Sequence, residues 1–222
     1  SSAGETIDTD GDNRCEANCA ATGEILNAAG NACLSTTTLI LVATGVSTSL
    51  SSFYSDLNEV VDIGSSTSCL QLPTYPFKMW GASGGVINGS PIICGGYKLN
   101  GFPAVESSCY SHDKELNVWK QHATMNQARY SHASVVLEKS LWITGGAYQA
   151  GNGLDIFKSS EFVHGDGTVT SGPNLPEARY WHCMVTLDDG KVMILGGHPT
   201  PNNVLVFDPS NNGFTTGPSL QE

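Results

Sequence analysis

The chain has 222 residues, with 10 basic and 21 acidic side chains and a formal net charge of −11 at pH 7. Proteins that bind a nucleic-acid backbone need a concentrated positive surface, so this charge argues against nucleic-acid partners. The longest aliphatic run, Leu39 to Ala43, is too short to cross a bilayer, so we expect no membrane insertion. The 25 glycines and 10 prolines interrupt the chain often, which favours an all-β fold.

Residues 1–38 form an acidic segment that contains three of the seven cysteines. The segment has no apolar periodicity, so we predict little regular structure there. Asp8, Asp10 and Asp12 alternate with other residues, an arrangement of carboxylates that suits calcium. Because the distal glutamate of an EF-hand loop is missing, we interpret these residues as a solvated turn, with calcium binding as the less favoured alternative. We therefore expect no metal and no cofactor.

From residue 39 onward, the sequence repeats with a period of about 50 residues. Glycine doublets recur 50 and then 51 positions apart, at Gly95-Gly96, Gly145-Gly146 and Gly196-Gly197. An apolar run precedes each doublet, a turn sequence such as Asn88-Gly89 precedes each run, and two further strand-like stretches follow the doublet. Each repeat therefore predicts four short antiparallel strands, which is the sequence form of a β-propeller blade.

Aromatic residues also recur with this period. They stand on the predicted third strand at Tyr110, Phe162 and Phe207, and on the predicted fourth strand at Trp119 and Phe214. Large rings at repeated positions would fill the wedge between neighbouring blades, where each buries a large apolar area. Glycines near a crowded axis would let the backbone of one blade approach another closely.

Together these features resemble those of kelch-repeat proteins, which belong to the galactose-oxidase-like propeller superfamily. The resemblance covers residues 39–222 and divides them into the blade units 39–78, 79–129, 130–179 and 180–222. Kelch propellers close when one terminus completes a blade that the other began. The resemblance therefore implies that this chain is part of a larger ring, an open piece of about four blades out of six.

The resemblance also implies a binding surface where the blade-to-blade connections meet the loops after the doublets, because such loops on a rigid scaffold carry function. The sequence Ala-Arg-Tyr repeats at 128–130 and 178–180 on these connections. The candidate partner-binding residues are Arg129, Tyr130, Arg179, Tyr180, Lys98, Phe102, Tyr148, Gln149 and Asn152. An ion pair of each arginine within its own blade stays open as the alternative. His132 and His182 recur with the blade period, so we interpret both as structural hydrogen-bonding residues.

Two features bear on the compartment. Cys94 and Cys109 stand symmetrically about the loop after the first doublet, on strands predicted to be adjacent and antiparallel, which predicts a disulfide; two buried thiols are the alternative. Asn88 begins the sequence Asn-Gly-Ser, a candidate glycosylation site. Both features favour an extracellular or secreted protein. No signal-peptide pattern precedes residue 39, and the chain begins with Ser1, so we expect a piece of a longer protein.

We expect a non-catalytic binding module that presents its loops to a protein or glycan partner. The copper-radical oxidases similar to galactose oxidase use a Tyr-His pair and a tyrosine coupled to cysteine. This chain has no Tyr-His dipeptide, and Cys109 and Tyr110 are strand neighbours whose side chains point to opposite faces. Two alternatives remain: a fragment of such an oxidase whose reactive residues lie outside this chain, and an intracellular kelch adaptor.

Overall fold

The computed structural model describes residues 73–99, 104–151 and 153–221, and the backbone of strands at 24–26, 33–35, 39–46, 54–62 and 68–69. The chain divides into two compact units. The first contains Ser1–Thr44 and Asp56–Pro76, and the second contains Gly45–Ser55 and Phe77–Glu222. All regular structure in the described residues is β-strand, and these residues include no helix able to span a membrane.

The strands before residue 73 are described by their backbone. They are β1 (Glu24–Leu26), β2 (Cys33–Ser35), β3 (Leu39–Val46), β4 (Tyr54–Asp62) and β5 (Ser68–Cys69). In the first unit, β1 pairs antiparallel with β2, and β4 pairs antiparallel with β5. The candidate calcium residues Asp8, Asp10 and Asp12 lie outside the described residues.

The second unit contains three antiparallel sheets of four strands each. Two short strands, β6 (Met79–Trp80) and β9 (Tyr97–Lys98), pair with each other beside them. The first sheet consists of β7 (Ser83–Ile87), β8 (Ser90–Cys94), β10 (Ser108–Asp113) and β11 (Val118–Thr124). The second sheet consists of β12 (Ala133–Leu137), β13 (Ser140–Thr144), β16 (Ser160–His164) and β17 (Val169–Ser171). The third sheet consists of β18 (Cys183–Thr186), β19 (Val192–Leu195), β20 (Val204–Asp208) and β21 (Gly213–Thr216).

In each of these sheets the four strands lie side by side in chain order. The prediction of four antiparallel strands per repeat is therefore confirmed for the three repeats that carry a glycine doublet. The predicted tight turns are present as well: Asn88 and Gly89 connect β7 to β8, and both adopt positive φ angles. Two consecutive positive φ values define the turn whose twist matches that of the flanking strands.

Two of the loops predicted after the doublets contain strands. The predicted loop from Tyr97 to Val105 begins with β9. We expected a loop from Ala147 to Asp155, but this region is a hairpin of β14 (Ala147–Ala150) and β15 (Gly153–Ile156). Gly151 stands between the two strands with a φ of 59°, a left-handed conformation that glycine adopts without steric cost. The hairpin projects from the doublet that ends β13 and belongs to none of the three sheets.

The core lies between neighbouring sheets, which pack face to face. Leu141 and Ile143 on β13 pack against Ile92 and Cys94 of the first sheet. Trp142, between them on the same strand, packs towards the third sheet, where its ring centroid lies 4.6 Å from that of Phe207. Because successive strand residues face opposite ways, the middle sheet is buried on both faces. Three consecutive apolar residues, Leu141, Trp142 and Ile143, are therefore buried on β13, instead of an alternation of buried and exposed residues.

The aromatic residues singled out by their period occupy different surroundings. Phe162, Phe207 and Phe214 lie in the interface between the second and third sheets. Tyr110 packs edge-on against Phe77, with 5.6 Å between ring centroids, and Trp119 lies 5.7 Å from the His112 ring. Trp142 is the largest fully buried side chain among the described residues. The period of the sequence did not single it out, because its strand position is not aromatic in the other repeats.

The predicted disulfide is confirmed. β8 and β10 are adjacent and antiparallel, and their register places Cys94 directly opposite Cys109. The two Cα atoms are 4.0 Å apart, and the sulfur atoms are bonded. This bridge crosses the middle of the first sheet and belongs to its interface with the second. The Cys183 thiol is free and exposed, and the candidate glycosylation residue Asn88 is also exposed.

Each glycine doublet ends the second strand of its sheet, and its conformation and surroundings both require glycine. Gly145 has a φ of 60°, and a Cβ added there would collide with the carbonyl oxygen of Arg179. A Cβ on Gly146 would lie 2.9 Å from the carbonyl oxygen of Tyr130. The doublet therefore lies in close contact with two backbone segments. One is the connection that leads into its own sheet, and the other is the connection that leads into the next sheet.

We predict that Gly145→Ala destabilises the protein more than Gly151→Ala does. The two glycines have nearly the same φ, 60° and 59°, but no atom lies within 4 Å of the Cβ position at Gly151. Gly151→Ala should cost about 1–2 kcal/mol for the left-handed backbone alone. Gly145→Ala should cost roughly 1–3 kcal/mol more, because the Arg179 carbonyl must move. Urea denaturation measures both, and equal losses would contradict the steric role of the doublet.

Candidate functional site

Two kinds of segment meet at the edge of the sheets where the doublets lie, and we call this edge the junction rim. The first kind is the connection between sheets, 125–132 and 172–182. The second kind is the segment after each doublet, 97–105, 147–156 and 198–203. Single antiparallel bridges join the two kinds, Tyr130 with Ala147 and Tyr180 with His198. The junction rim contains all the candidate partner-binding residues that the structure describes.

Arg129 lies at the joint between the first and second sheets and is completely buried. Its carbonyl oxygen accepts a 2.9 Å hydrogen bond from the Gly96 N–H of the first sheet. Its guanidinium donates to the Gly145 carbonyl oxygen of the second sheet at 2.6 Å and forms a 2.8 Å ion pair with Glu161. Arg129 thus links one glycine doublet to the next. Burial lowers the pKa of Arg129, and the bond to Glu161 opposes that shift.

Arg179 repeats this arrangement at the next joint. Its carbonyl oxygen accepts a bond from the Gly146 N–H, and its guanidinium donates to the Gly196 carbonyl oxygen at 3.0 Å. The charge balance differs, because Leu205 occupies the strand position that Glu161 holds in the second sheet. Instead, Glu177 supplies the nearby negative charge and acts against the lowering of the Arg179 pKa by burial.

These contacts revise the interpretation of the two arginines. Both side chains are completely buried, so neither guanidinium is available to a partner. Arg129 does form an ion pair, but its partner Glu161 lies on β16 of the following sheet rather than within the unit 79–129 that Arg129 ends. Tyr130 and Tyr180 are also buried, so these four residues support the junction rim from below rather than form its surface.

Glu161 organises the connection as well as the arginine. One carboxylate oxygen accepts hydrogen bonds from the backbone N–H and the side-chain amide of Asn126, at 2.6 and 2.9 Å. The other accepts from the Gln127 N–H and from Arg129. A single buried carboxylate therefore fixes the chain segment that enters the second sheet. The sequence position of Glu161 on a strand does not indicate this role.

We predict that Glu161→Gln costs about 3–5 kcal/mol of unfolding free energy, because it leaves the buried Arg129 guanidinium without a counter-charge. Glu115→Gln is the matched control: Glu115 is exposed in the turn between β10 and β11 and makes no ion pair in the described structure, so its loss should cost less than about 1 kcal/mol. Thermal and chemical denaturation give both values. Similar small losses would show that the ion pair does not hold the joint.

His132 and His182 stand three residues after these arginines and are 5% exposed. His182 Nε2 and Thr144 Oγ1 share a 2.8 Å hydrogen bond that joins the third sheet to the second. Burial, together with the charge of the adjacent Arg129 or Arg179, lowers the pKa of each imidazole to about 3. His182 contributes a smaller part of the lowering at His132. Both rings are therefore neutral at pH 7 and packed in the interior, and the His182 ring also forms a hydrogen bond.

We predict an acid-sensitive stability that depends on these two histidines. An unfolded histidine binds its proton near pH 6.5, whereas the folded ones do so near pH 3. Their contribution is complete above pH 6.5 and is lost as the pH falls towards 3, by about 1.4 kcal/mol per pH unit for each histidine. The double variant His132→Gln and His182→Gln should show a shallower decline between pH 6 and 4, measured by urea unfolding. The variant of the exposed His198, His198→Gln, should keep the decline of the unmodified protein. Equal slopes of unfolding free energy against pH in the unmodified protein, the double variant and His198→Gln would refute the prediction.

An aromatic cluster lies beneath the junction rim. The rings of Trp80, Tyr97 and Tyr130 contact one another, with centroid distances of 5.1, 5.5 and 5.7 Å. Tyr180 and Tyr148 join the same cluster. Burial raises the pKa of Tyr130, and the neighbouring Tyr180 and Tyr97 raise it further. Because the rings are packed against each other, the cluster is a rigid support for the segments above it.

The remaining candidates are partly accounted for. Lys98 forms a 2.9 Å ion pair with Glu106, and its ammonium group also lies 4.8 Å from the centre of the Phe77 ring. Tyr148 is half-buried and Gln149 is exposed, both on the β14–β15 hairpin. Phe102 and Asn152 lie outside the described residues. Among the candidate partner-binding residues that the structure describes, the exposed one, Gln149, therefore lies on the hairpin.

A backbone ladder across the three sheets was not recognised in the sequence. The Ser131 N–H donates to the Gly81 carbonyl oxygen at 2.7 Å, and the Trp181 N–H donates to the Ser131 carbonyl oxygen at 2.9 Å. All three residues adopt positive φ, between 53° and 67°, and they are spaced exactly one period apart at 50 residues. The 50-residue spacing of these positions could have indicated the ladder, but they carry three dissimilar residue types, Gly, Ser and Trp, so no repeated motif is visible. Trp181 is 62% exposed there.

In the described part of the chain, no group of three or more His, Cys, Asp and Glu side chains is arranged to hold a metal ion. The buried side chains of Arg129, Glu161 and Arg179 at the junction rim bond to one another or to the backbone. The described site thus combines a hydrogen-bonded, buried support with an exposed hairpin.

The comparisons with known proteins bear on the fold. No family model and no curated protein matches the sequence. Among solved structures, the chain is similar to the structure of YjhT, with a TM-score of 0.68 and 13% sequence identity. The match covers 84% of this chain and 64% of that one, so the chain spans less than two thirds of that protein's length. The similarity concerns the fold alone, and with the three four-stranded sheets it defines an all-β, β-propeller-like protein.

Proposed function

We propose that this chain is part of a kelch-type propeller that serves as a non-catalytic binding module outside the cell. Its partner, a protein or a glycan, would contact the junction rim through the segments that follow the glycine doublets. The observation that carries this proposal is the division of the rim into a buried layer, with Arg129, Arg179 and their hydrogen bonds, and an exposed layer on the β14–β15 hairpin.

A rigid base favours binding because less conformational entropy is lost when the partner arrives. The buried layer supplies that base, since every joint is held by backbone bonds to a doublet and by an arginine side chain. Loops and hairpins on such a scaffold are the usual place for recognition. The Cys94–Cys109 disulfide supports an oxidising compartment, and thus a secreted protein rather than an intracellular adaptor.

The oxidase alternative has less support. A copper-radical centre would need a cysteine free to couple to a tyrosine, but the sulfur of Cys109, which precedes Tyr110, is bonded to Cys94. This disulfide therefore argues against a tyrosine coupled to Cys109. We accordingly favour recognition over catalysis.

The test compares the two edges of the sheets in the full-length protein. A ligand would be selected on a glycan array and a displayed peptide library. We predict that Tyr148→Ala with Gln149→Ala weakens its binding by about tenfold or more, or 1.4 kcal/mol. The control is Leu116→Ala with Glu115→Ala, in the exposed turn between β10 and β11 at the opposite edge. Loss of binding only in the control pair, or oxidase turnover after copper loading, would overturn the proposal.

A further inference from the structure

The β14–β15 hairpin is fixed at its base. The N–H and the carbonyl oxygen of Ala147 both bond to Tyr130, at 2.9 Å each, and the Ala147 side chain is completely buried. At the other end of the hairpin, the Phe157 N–H donates to the Gly146 carbonyl oxygen at 2.9 Å. Ile156 and Tyr148 pack on the aromatic cluster. The strands therefore leave the junction rim in a defined direction.

The outer strand of this hairpin has an open edge. In the described structure β15 pairs only with β14, so half of its backbone N–H and C=O groups point away from the hairpin. Gly153, Leu154 and Asp155 are exposed, and Leu154 retains 44% of its accessible surface. An exposed edge of this kind is a template for pairing with another chain.

Proteins usually guard such edges with lysine, proline or a β-bulge. The edge strand β11 of the first sheet has two of these guards, because Lys120 pairs with Asp113 and a bulge interrupts its register near Tyr110. The four residues of β15 include no lysine, no proline and no register shift. The β15 edge is therefore left open where the other is protected.

The side chains along β15 indicate what could add there. Strand geometry places Leu154 and Ile156 on one face and Asp155 on the other. Residues 147–156 contain no basic residue, and the whole chain has a net charge of −11. A strand laid beside β15 would thus meet apolar groups on one face and a negative charge on the other.

We propose that the β15 edge binds an extended peptide segment of a partner protein, in which apolar and basic residues alternate. The segment would add as a third strand to the hairpin, with backbone hydrogen bonds giving affinity and alternate side chains giving specificity. This inference rests on the proposed function of the junction rim, and it names the kind of partner. The anchored base of the hairpin lowers the ordering cost of such an addition.

The test uses three synthetic octapeptides and the full chain, with binding measured by calorimetry. The first peptide alternates lysine and valine; the second has the same composition in two blocks; the third alternates glutamate and valine. The alternating lysine–valine peptide should bind about tenfold or more tightly than either of the others. Hydrogen exchange should slow at the backbone amides of β15 when it binds.

Variants separate backbone pairing from side-chain contact. Leu154→Pro removes an N–H from the edge strand and should weaken binding of the alternating lysine–valine peptide at least tenfold, whereas Leu154→Ala should weaken it only a few-fold. Asp155→Lys should reverse the preference in favour of the glutamate–valine peptide, which keeps the test valid if the proline variant unfolds. Leu116→Ala, at the opposite edge, should change nothing.

The inference is overturned if the alternating lysine–valine peptide does not bind, if the block peptide binds equally well, or if Leu154→Pro in a folded protein and Asp155→Lys leave binding unchanged. Such a result, combined with ligand loss in the Tyr148 and Gln149 variants, would refute strand addition and leave the binding role of the rim intact. Binding of the alternating lysine–valine peptide with no effect of those rim variants on the selected ligand would refute the proposed function instead.

Discussion

The contact between a glycine doublet and the arginine that begins the next sheet governs the rest of this structure. The N–H of the second glycine donates to the arginine carbonyl oxygen, at 2.9 Å for Gly96 and 2.8 Å for Gly146. The approach is so close that a side chain on the first glycine would strike that carbonyl. Because the same arginine reaches forward to the next doublet, each joint determines the position of the following sheet. The apolar faces can then meet over their full area.

The joints show how a repeat can keep its geometry while changing its chemistry. Both arginines are buried and bond to a glycine carbonyl of the following sheet. Arg129 is neutralised by a strand residue, Glu161, whereas Arg179 has Glu177 two positions before it and Leu205 on the strand. A buried guanidinium needs a compensating charge, but that charge can come from either place. The period therefore constrains the arginine more tightly than its partner.

The same joints explain why recognition is assigned to the hairpin rather than to the most regular residues. Side chains that recur with the blade period, such as those of Arg129 and Tyr130, hold the backbone and have almost no exposed surface. Among the described residues, such a hairpin follows the second doublet alone; it stands on this support and has an unguarded edge. The buried residues of the rim thus stabilise the fold, and the exposed hairpin residues are the ones to which we assign binding. The hairpin residues can therefore vary without loss of the fold.

The sequence by itself determined the number of strands per repeat, the tight turns, the doublets and the pairing of Cys94 with Cys109, because each depends on local spacing or on the register of adjacent strands. Tertiary structure alone decided the roles of Arg129 and Arg179, the importance of Trp142 and the hairpin after the second doublet. The Arg129–Glu161 pair joins residues 32 positions apart. Periodicity shows that a residue serves the blade, but burial, charge compensation and exposure depend on which side chains neighbouring sheets bring together, and no single repeat contains that information.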